Sequence, residues 1–226
     1  VEKAIILKVN SEEVKRIGQS DARLGQLISF IGDLTIPLRD NRFEALVKSI
    51  IGQQLSVKAA ETIYTRVEAL CKRVTPESII LMEETELRAA GLSKPKISYV
   101  KDLAEKVMSK EVDLYHLDQF GNDTIIRLMT PIKGVGKWTA EMFLLFTLGR
   151  MDVLSLGDVG LQRSAKWLYN LDKQEDGKKC LEKKASLWFP YYTVASLYLW
   201  EAVNKGYVDS FESLEEISMD GTSVIN

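Results

Sequence analysis

One histidine, His116, and two cysteines, Cys71 and Cys180, leave this chain without most common catalytic equipment. A lone imidazole argues against a zinc centre and against a Ser–His triad, and beside Tyr115 it reads as a surface or helix-end residue. Two distant cysteines read as reduced thiols of a cytosolic protein. They cannot supply the four thiolates of an iron–sulfur cluster. Glycine (14) and proline (5) are scarce, which suits helices better than many short strands. No apolar run approaches the roughly 20 residues of a membrane span, no signal peptide is visible at the N-terminus, and there is no internal repeat or low-complexity linker. An excess of positive charge is missing too. Thirty Lys and Arg face 32 Asp and Glu, a net charge of −2, which argues against a broad basic face for nucleic acid. A protein that takes phosphates on backbone amides, however, needs only a locally positive face.

What is present is a chain of 226 residues, 46% of them apolar, long enough for a sizeable core or two small helical lobes. The expected fold is all-α. Two helical lobes flank a cleft, one of residues 41–149 and a discontinuous one of 1–40 plus 150–226. Residues 1–9 fit a short strand or an apolar lead-in. Asn10–Ser11 with Glu13 marks a helix start. Ser20–Asp21 caps a helix with Leu24, Leu27, Ile28 and Ile31 at helical spacing, Gly32–Asp33 ends it, and Pro37 forces an extended link from Thr35 to Arg39. Asp40–Asn41 opens a helix striped by Phe43, Leu46, Val47, Ile50 and Ile51. That helix stops at Gly52-Gln53-Gln54-Leu55-Ser56, where Ser56 caps the next. Thr75-Pro76-Glu77 starts another helix by the N1-proline preference. Helices over 83–90 and 97–108 follow, with Tyr99, Leu103 and Val107 as core, and with Lys94 and Lys96 facing phosphate or solvent. Asn122–Asp123 caps a short helix over 124–128. Asp172 to Lys184 reads as a solvated stretch, and the acidic tail after Val208 as frayed.

The most informative stretch runs from Met129 to Arg163. Gly134 and Gly136 bracket one small residue, so the chain can turn with φ > 0 and bring its amides close to a ligand. They open directly into an apolar helix, Trp138–Leu148, whose start carries about half a positive charge and is a ready anion site. Lys133 and Lys137 flank it. An ordinary helix–turn–helix is the plainer reading. Downstream, Gly157-Asp158-Val159-Gly160 delivers a single carboxylate at the start of a further helix, where Asp158 is either a simple N-cap or a chemical group.

The longer string Pro-x-x-Gly-Val-Gly-x-x-Thr-Ala resembles the helix-hairpin-helix of DNA-repair glycosylases. Ile50-Ile51-Gly52-Gln53-Gln54-Leu55-Ser56-Val57-Lys58-Ala59-Ala60 resembles a segment of their alkylation-repair branch, the 3-methyladenine DNA glycosylase II group, in a short form. Trp188-Phe189-Pro190-Tyr191-Tyr192-Thr193-Val194-Ala195-Ser196-Leu197-Tyr198-Leu199-Trp200 resembles that branch's closing helix, with Tyr192 and Thr193 standing where Arg and Ser are usual. The resemblance covers about residues 40–205.

It implies a monofunctional N-glycosyl hydrolase that releases alkylated purines, 3-methyladenine and 7-methylguanine, in base excision repair. Asp158 would be the catalytic carboxylate, steadying an oxocarbenium-like sugar. Trp138 stands where lyase-competent relatives carry a nucleophilic Lys, so no Schiff base is expected. Its indole would make a floor for a cationic base, against a plain core role, and Trp188, Tyr192 and Phe30 are further candidates for the pocket wall. The DNA contacts would come from Lys133, Gly134, Val135, Gly136, Lys137 and Thr139, with one of Gln53, Gln54 or Leu55 as the wedge behind a flipped base. The main-chain carbonyls of Thr130, Ile132 and Val135 could hold a Na or K ion, with no other cofactor required and no iron–sulfur cluster. The expected partner is double-stranded DNA with alkylated bases, bound by a monomer with no membrane association, in the cytoplasm at the nucleoid of a bacterium or in a eukaryotic nucleus. The competing readings are a non-catalytic DNA-binding module, in which Asp158 only caps a helix, and a lyase or mismatch glycosylase of the same superfamily.

Overall fold

The computed structural model describes residues 3–172 and 174–221. In chain order the elements are β1 (Ala4–Leu7), α1 (Glu12–Ser20), α2 (Ala22–Ile31), β2 (Leu34–Pro37), α3 (Arg42–Gly52), α4 (Val57–Cys71), α5 (Pro76–Leu81), α6 (Glu84–Ala89), α7 (Lys94–Met108), a 3-10 turn (Leu117–Gln119), α8 (Asn122–Met129) and α9 (Lys137–Phe146). Then come α10 (Val159–Leu168), α11 (Gly177–Trp188), α12 (Tyr192–Asn204), α13 (Tyr207–Ser210) and α14 (Leu214–Gly221). The all-α expectation holds, with one small addition. The lead-in and the extended link pair as an antiparallel ribbon, Leu7 opposite Leu34 and Ala4 opposite Pro37. Alternation explains it, since Ile5 and Leu7 are buried while Ile6 faces water.

Two compact units divide the chain. The first is Leu38–Leu148 with Lys3, and holds α3 to α9. Its centre is α3, which packs on α4, α7 and α9 and buries Phe43, Leu46, Val47, Ile50 and Ile51. Full burial of each such side chain is worth about 1.5–3 kcal/mol relative to exposure. Asn41 caps α3 through the Glu44 amide, Ser56 caps α4 through Ala59, and Thr75 and Ser78 form a reciprocal capping box at α5.

The second unit joins Ala4–Pro37 to the described residues from Gly149 onward. In it α12 packs on α2 and α10, around the fully buried Trp188 and Tyr198. Asp21 is its polar centre. It caps α2 through Leu24, accepts the Tyr169 hydroxyl at 2.6 Å and accepts the Trp188 indole at 3.2 Å. A buried carboxylate is tolerable only with such partners.

The charged stretch from Asp172 is mostly exposed, as expected, and from Gly177 it is helix α11, anchored by buried Leu181. Two expectations fail here. The run from Trp188 to Trp200 is two elements, because α11 ends at Trp188 and α12 begins at Tyr192, after a proline that cannot donate to a helix. The acidic tail is helical through α14, where Leu214 is buried and Arg23 grips Glu215 with its two terminal guanidinium nitrogens. Residues 222–226 of that tail lie outside the described residues.

Candidate active site

The glycine hairpin forms as the sequence predicts, between α8 and α9 of the first unit. Ile132 donates to Met129 and Val135 donates to Ile132, both at 3.0 Å, and Gly136 then becomes the N-cap of α9. Gly134 has φ +78, and a Cβ there would lie 2.3 Å from the Tyr99 ring. Only glycine satisfies both constraints. Tyr99, a core residue by its spacing, thus sets how tightly the hairpin is held.

The hairpin is also braced by polar groups that no sequence pattern signals. Asp102 on α7 accepts the Lys133 amide at 2.9 Å. Burial pushes the Asp102 carboxyl up, but that amide and the Lys106 ammonium outweigh burial and hold it below its ordinary value. The Lys133 amide is thus bonded to Asp102 on α7 and the Val135 amide to Ile132 within the turn. Val135 and Thr139 side chains are buried, so neither side chain reaches a ligand. The amides of Lys137, Trp138 and Thr139 have no carbonyl within their own helix to bond, by their place in its first turn.

The Gln-Gln-Leu loop belongs to the same body. Gln53 donates from Nε2 to the Gly134 carbonyl at 2.7 Å, which commits that side chain and removes it as a wedge. Gln54 takes the left-handed conformation (φ +57) and is exposed, and Leu55 is exposed beside it. Lys96 is half-buried. It caps the end of α3 by donating to the carbonyls of Ile51 and Gln53, and burial lowers its pKa.

Asp158 sits in the second unit as the N-cap of α10. Its Oδ1 accepts the Leu161 amide at 2.8 Å and the Trp200 indole N–H at 3.0 Å. A Cβ on Gly160 would come 3.1 Å from that same oxygen and 3.6 Å from the Trp200 ring, so glycine keeps the approach open. Trp200 is a functional candidate that sequence reasoning missed. It closes the quoted Tyr-Leu-Trp string, but its partner lies 42 residues upstream. The loop delivering Asp158 is stitched to α12 as well. Thr193 donates from its backbone to Met151 and from its hydroxyl to Arg150, while the Val153 amide donates to that hydroxyl. The Thr that replaces a usual Ser thus still bonds.

Among the aromatics, Trp138 is 46% exposed and Phe30 is 40% exposed, which decides against a core role for Trp138. Tyr192 is half-buried, its ring edge-on to Phe189 at 6.0 Å. Trp188 is a correction. It has no exposed surface and its indole is bonded to Asp21, so it offers no face to a base. Trp138 belongs to the first unit, and Phe30, Tyr192 and Asp158 to the second.

Other features fall outside this set. A cavity of about 690 Å³ in the first unit, lined by residues including Arg73, Lys110, Tyr115 and His116, contains none of the expected site residues. His116 is exposed and bonded to Asp113, as a surface residue should be. Burial raises the pKa of both Cys71 and Cys180, which keeps the thiols protonated. No helix among the described residues is long and apolar enough to cross a membrane.

Comparison with known proteins adds three findings. The profile of the HhH-GPD superfamily base excision DNA repair protein matches residues 47–190. DNA-3-methyladenine glycosylase 1 of Schizosaccharomyces pombe is 30% identical over 208 residues, 87% of this chain and 89% of that protein. Among solved structures, the DNA-3-methyladenine glycosidase of Bacillus halodurans is 46% identical with a TM-score of 0.86, covering 95% of this chain and 99% of that one. The Schizosaccharomyces pombe 3-methyladenine DNA glycosylase in complex with abasic DNA is 29% identical with a TM-score of 0.74, covering 86% and 97%.

Proposed function

We propose a reaction for this chain, which belongs to the HhH-GPD superfamily of base excision DNA repair proteins. It is an N-glycosyl hydrolase of the DNA-3-methyladenine glycosylase type, acting on DNA. Its substrates are purines alkylated at N3 or N7, such as 3-methyladenine and 7-methylguanine. Such a base already carries positive charge and leaves without a strong general acid. The difficulty therefore lies in the sugar, which becomes cation-like as the bond breaks.

The observation that carries this reading is the fixed carboxylate. Asp158 Oδ1 is held by the Leu161 amide and the Trp200 indole, so the charge is oriented before substrate arrives. A preorganised anion opposite a developing cation requires no reorganisation during the reaction. The same carboxylate orients the attacking water. The target base must leave the duplex first. Gln54 or Leu55 fills the gap, since Gln53 is bonded to Gly134. Trp138, exposed at the start of α9, supplies an aromatic face to the cationic base. Phe30, exposed, and Tyr192, half-buried, are the aromatic candidates for base contact on the second unit.

The hairpin holds the DNA backbone through amides at the start of α9. Neutral oxygens from Thr130, Ile132 and Val135 on one tight turn fit a Na or K ion better than a transition metal. When bound, that ion would add a positive charge for a phosphate. The two cysteines cannot hold an iron–sulfur cluster, and hydrolysis at a carboxylate calls for none. The chain works as a monomer wherever the cell keeps its DNA.

The test is release of 3-methyladenine and 7-methylguanine from methylated DNA, with borohydride added in a parallel reaction. Free bases without a trapped covalent adduct are expected. A trapped adduct would point to amine chemistry instead, and no release at all would leave a binding module.

A further inference from the structure

The two lysines flanking the hairpin are each tied to a carboxylate that water scarcely reaches. Asp102, 7% exposed, accepts the Lys133 amide through Oδ2. Its Oδ1 lies 3.5 Å from Lys133 Nζ and 3.3 Å from Lys106 Nζ. Glu141, 6% exposed on α9, places Oε1 3.7 Å from Lys137 Nζ. The two lysine side chains are 63% and 72% exposed. Exposed ion pairs are weak, but here one partner of each is buried, and a buried carboxylate is heavily penalised without its cations.

We infer that Asp102 and Glu141 are counter-charges built into the hairpin: they position the turn and cancel its two lysines, so that it holds a phosphate by backbone amides with little side-chain charge. The inference rests on the DNA-binding function proposed above. It accounts for how a chain of net charge −2 can place two lysines against a polyanion without gripping every duplex it meets. Asp102 does two separable things. Its charge restrains Lys133 and Lys106, and its oxygen holds the Lys133 amide. An asparagine keeps the oxygen and loses the charge, while an alanine loses both.

The experiment measures binding of the full chain to a duplex with a stable abasic-site analogue across a salt series, alongside release of methylated purines. Each lysine freed to meet a phosphate adds about 0.9 to the slope of log K against log salt. Asp102→Asn and Glu141→Gln are each expected to bind more tightly at low salt with a slope steeper by about that amount. Lys133→Met should shift the otherwise unchanged chain by less than about 0.3, yet abolish the steepening in the Asp102→Asn background. Asp102→Ala should bind about five-fold or more weakly than Asp102→Asn at every salt concentration, through loss of the amide's acceptor, while turnover at saturating DNA stays equal.

Unmoved slopes in both acid variants, or a full loss of 0.9 in Lys133→Met alone, would overturn the counter-charge. Equal affinities for Asp102→Ala and Asp102→Asn would overturn the positioning role. Lys133→Met changes an exposed side chain, so it decides the matter even where Asp102 variants fail to fold. If the unmodified chain neither binds the duplex nor releases bases, the proposed function fails and takes the inference with it. If it does both while the slopes stay put, only the inference fails.

Discussion

Replacing Asp158 by Asn isolates charge from architecture. The Oδ1 atom accepts two hydrogen bonds, from the Leu161 amide and from the Trp200 indole, and an asparagine can present its carbonyl oxygen to both. Asn caps helices about as well as Asp, so the fold should lose about 1 kcal/mol or less. The chemistry should lose far more. A full negative charge about 4 Å from a developing positive one, at an effective dielectric of about 20, contributes about 4 kcal/mol, or roughly three decades in rate. The assay is single-turnover release of 7-methylguanine from methylated DNA, with a thermal melt and a DNA-binding curve on the same preparation. The expected result is a melting point lowered by no more than about 4 °C, affinity close to the parent's, and a rate down about a thousand-fold. A variant that keeps its rate within about ten-fold refutes an electrostatic role, because then the carboxylate serves α10 and nothing else.

Gly134→Ala forces a side chain into a left-handed backbone and against the Tyr99 ring, where its Cβ would sit at 2.3 Å. Strain of about 2 kcal/mol should lower the melting point by roughly 4–8 °C; an unchanged melt would mean the hairpin is not held as described. Trp138→Ala should slow release of cationic 7-methylguanine by roughly 2- to 30-fold, the range of a cation–π contact, with Trp138→Phe recovering much of it; no change would rule out a contact between Trp138 and the base. Glu215 is held down to about 2, from 4.5, by its hydrogen bonds with Arg23. Its folded value is depressed, so its stabilisation of α14 is complete above about pH 4.5 and is lost as pH falls toward 2. Hydrogen-exchange protection factors in α14 should therefore fall over that window in the parent and show no such step in Glu215→Gln; the same step in both would assign it to another group.

Local signals were legible in the sequence wherever one residue settles a local geometry. Asn41, Ser56 and Thr75 cap helices as their side chains predict, and Gly134 turns the hairpin with positive φ. Helix α11 was hidden because its polar residues outnumber a core face reduced to Gly177, Leu181 and Trp188, too sparse for periodicity to register. The break at Pro190 was masked by the apolar residues on both sides of it. The bracing of the site was illegible for a different reason. The bonds from Asp102 to Lys133 and from Trp200 to Asp158 join residues 31 and 42 positions apart, and spacing says nothing about pairs that only the tertiary fold brings together. Burial of Trp188 is of the same kind. An aromatic in a site-like string looks alike whether its ring faces a ligand or Asp21.

The discontinuity of the second unit bears on synthesis of the chain. Leu38–Leu148 is a single stretch and has every partner it needs once Leu148 clears the ribosome. The segment Ala4–Pro37 emerges earlier, but its partners come later: Trp188 for Asp21, and Tyr198, whose hydroxyl donates to the Gly32 carbonyl. At about 5–20 residues per second of translation, that delay is on the order of ten to thirty seconds. Throughout it α2 has α1 but not α12 to pack against. The unit with the hairpin is therefore the first to be complete, and the one with Asp158 is completed last.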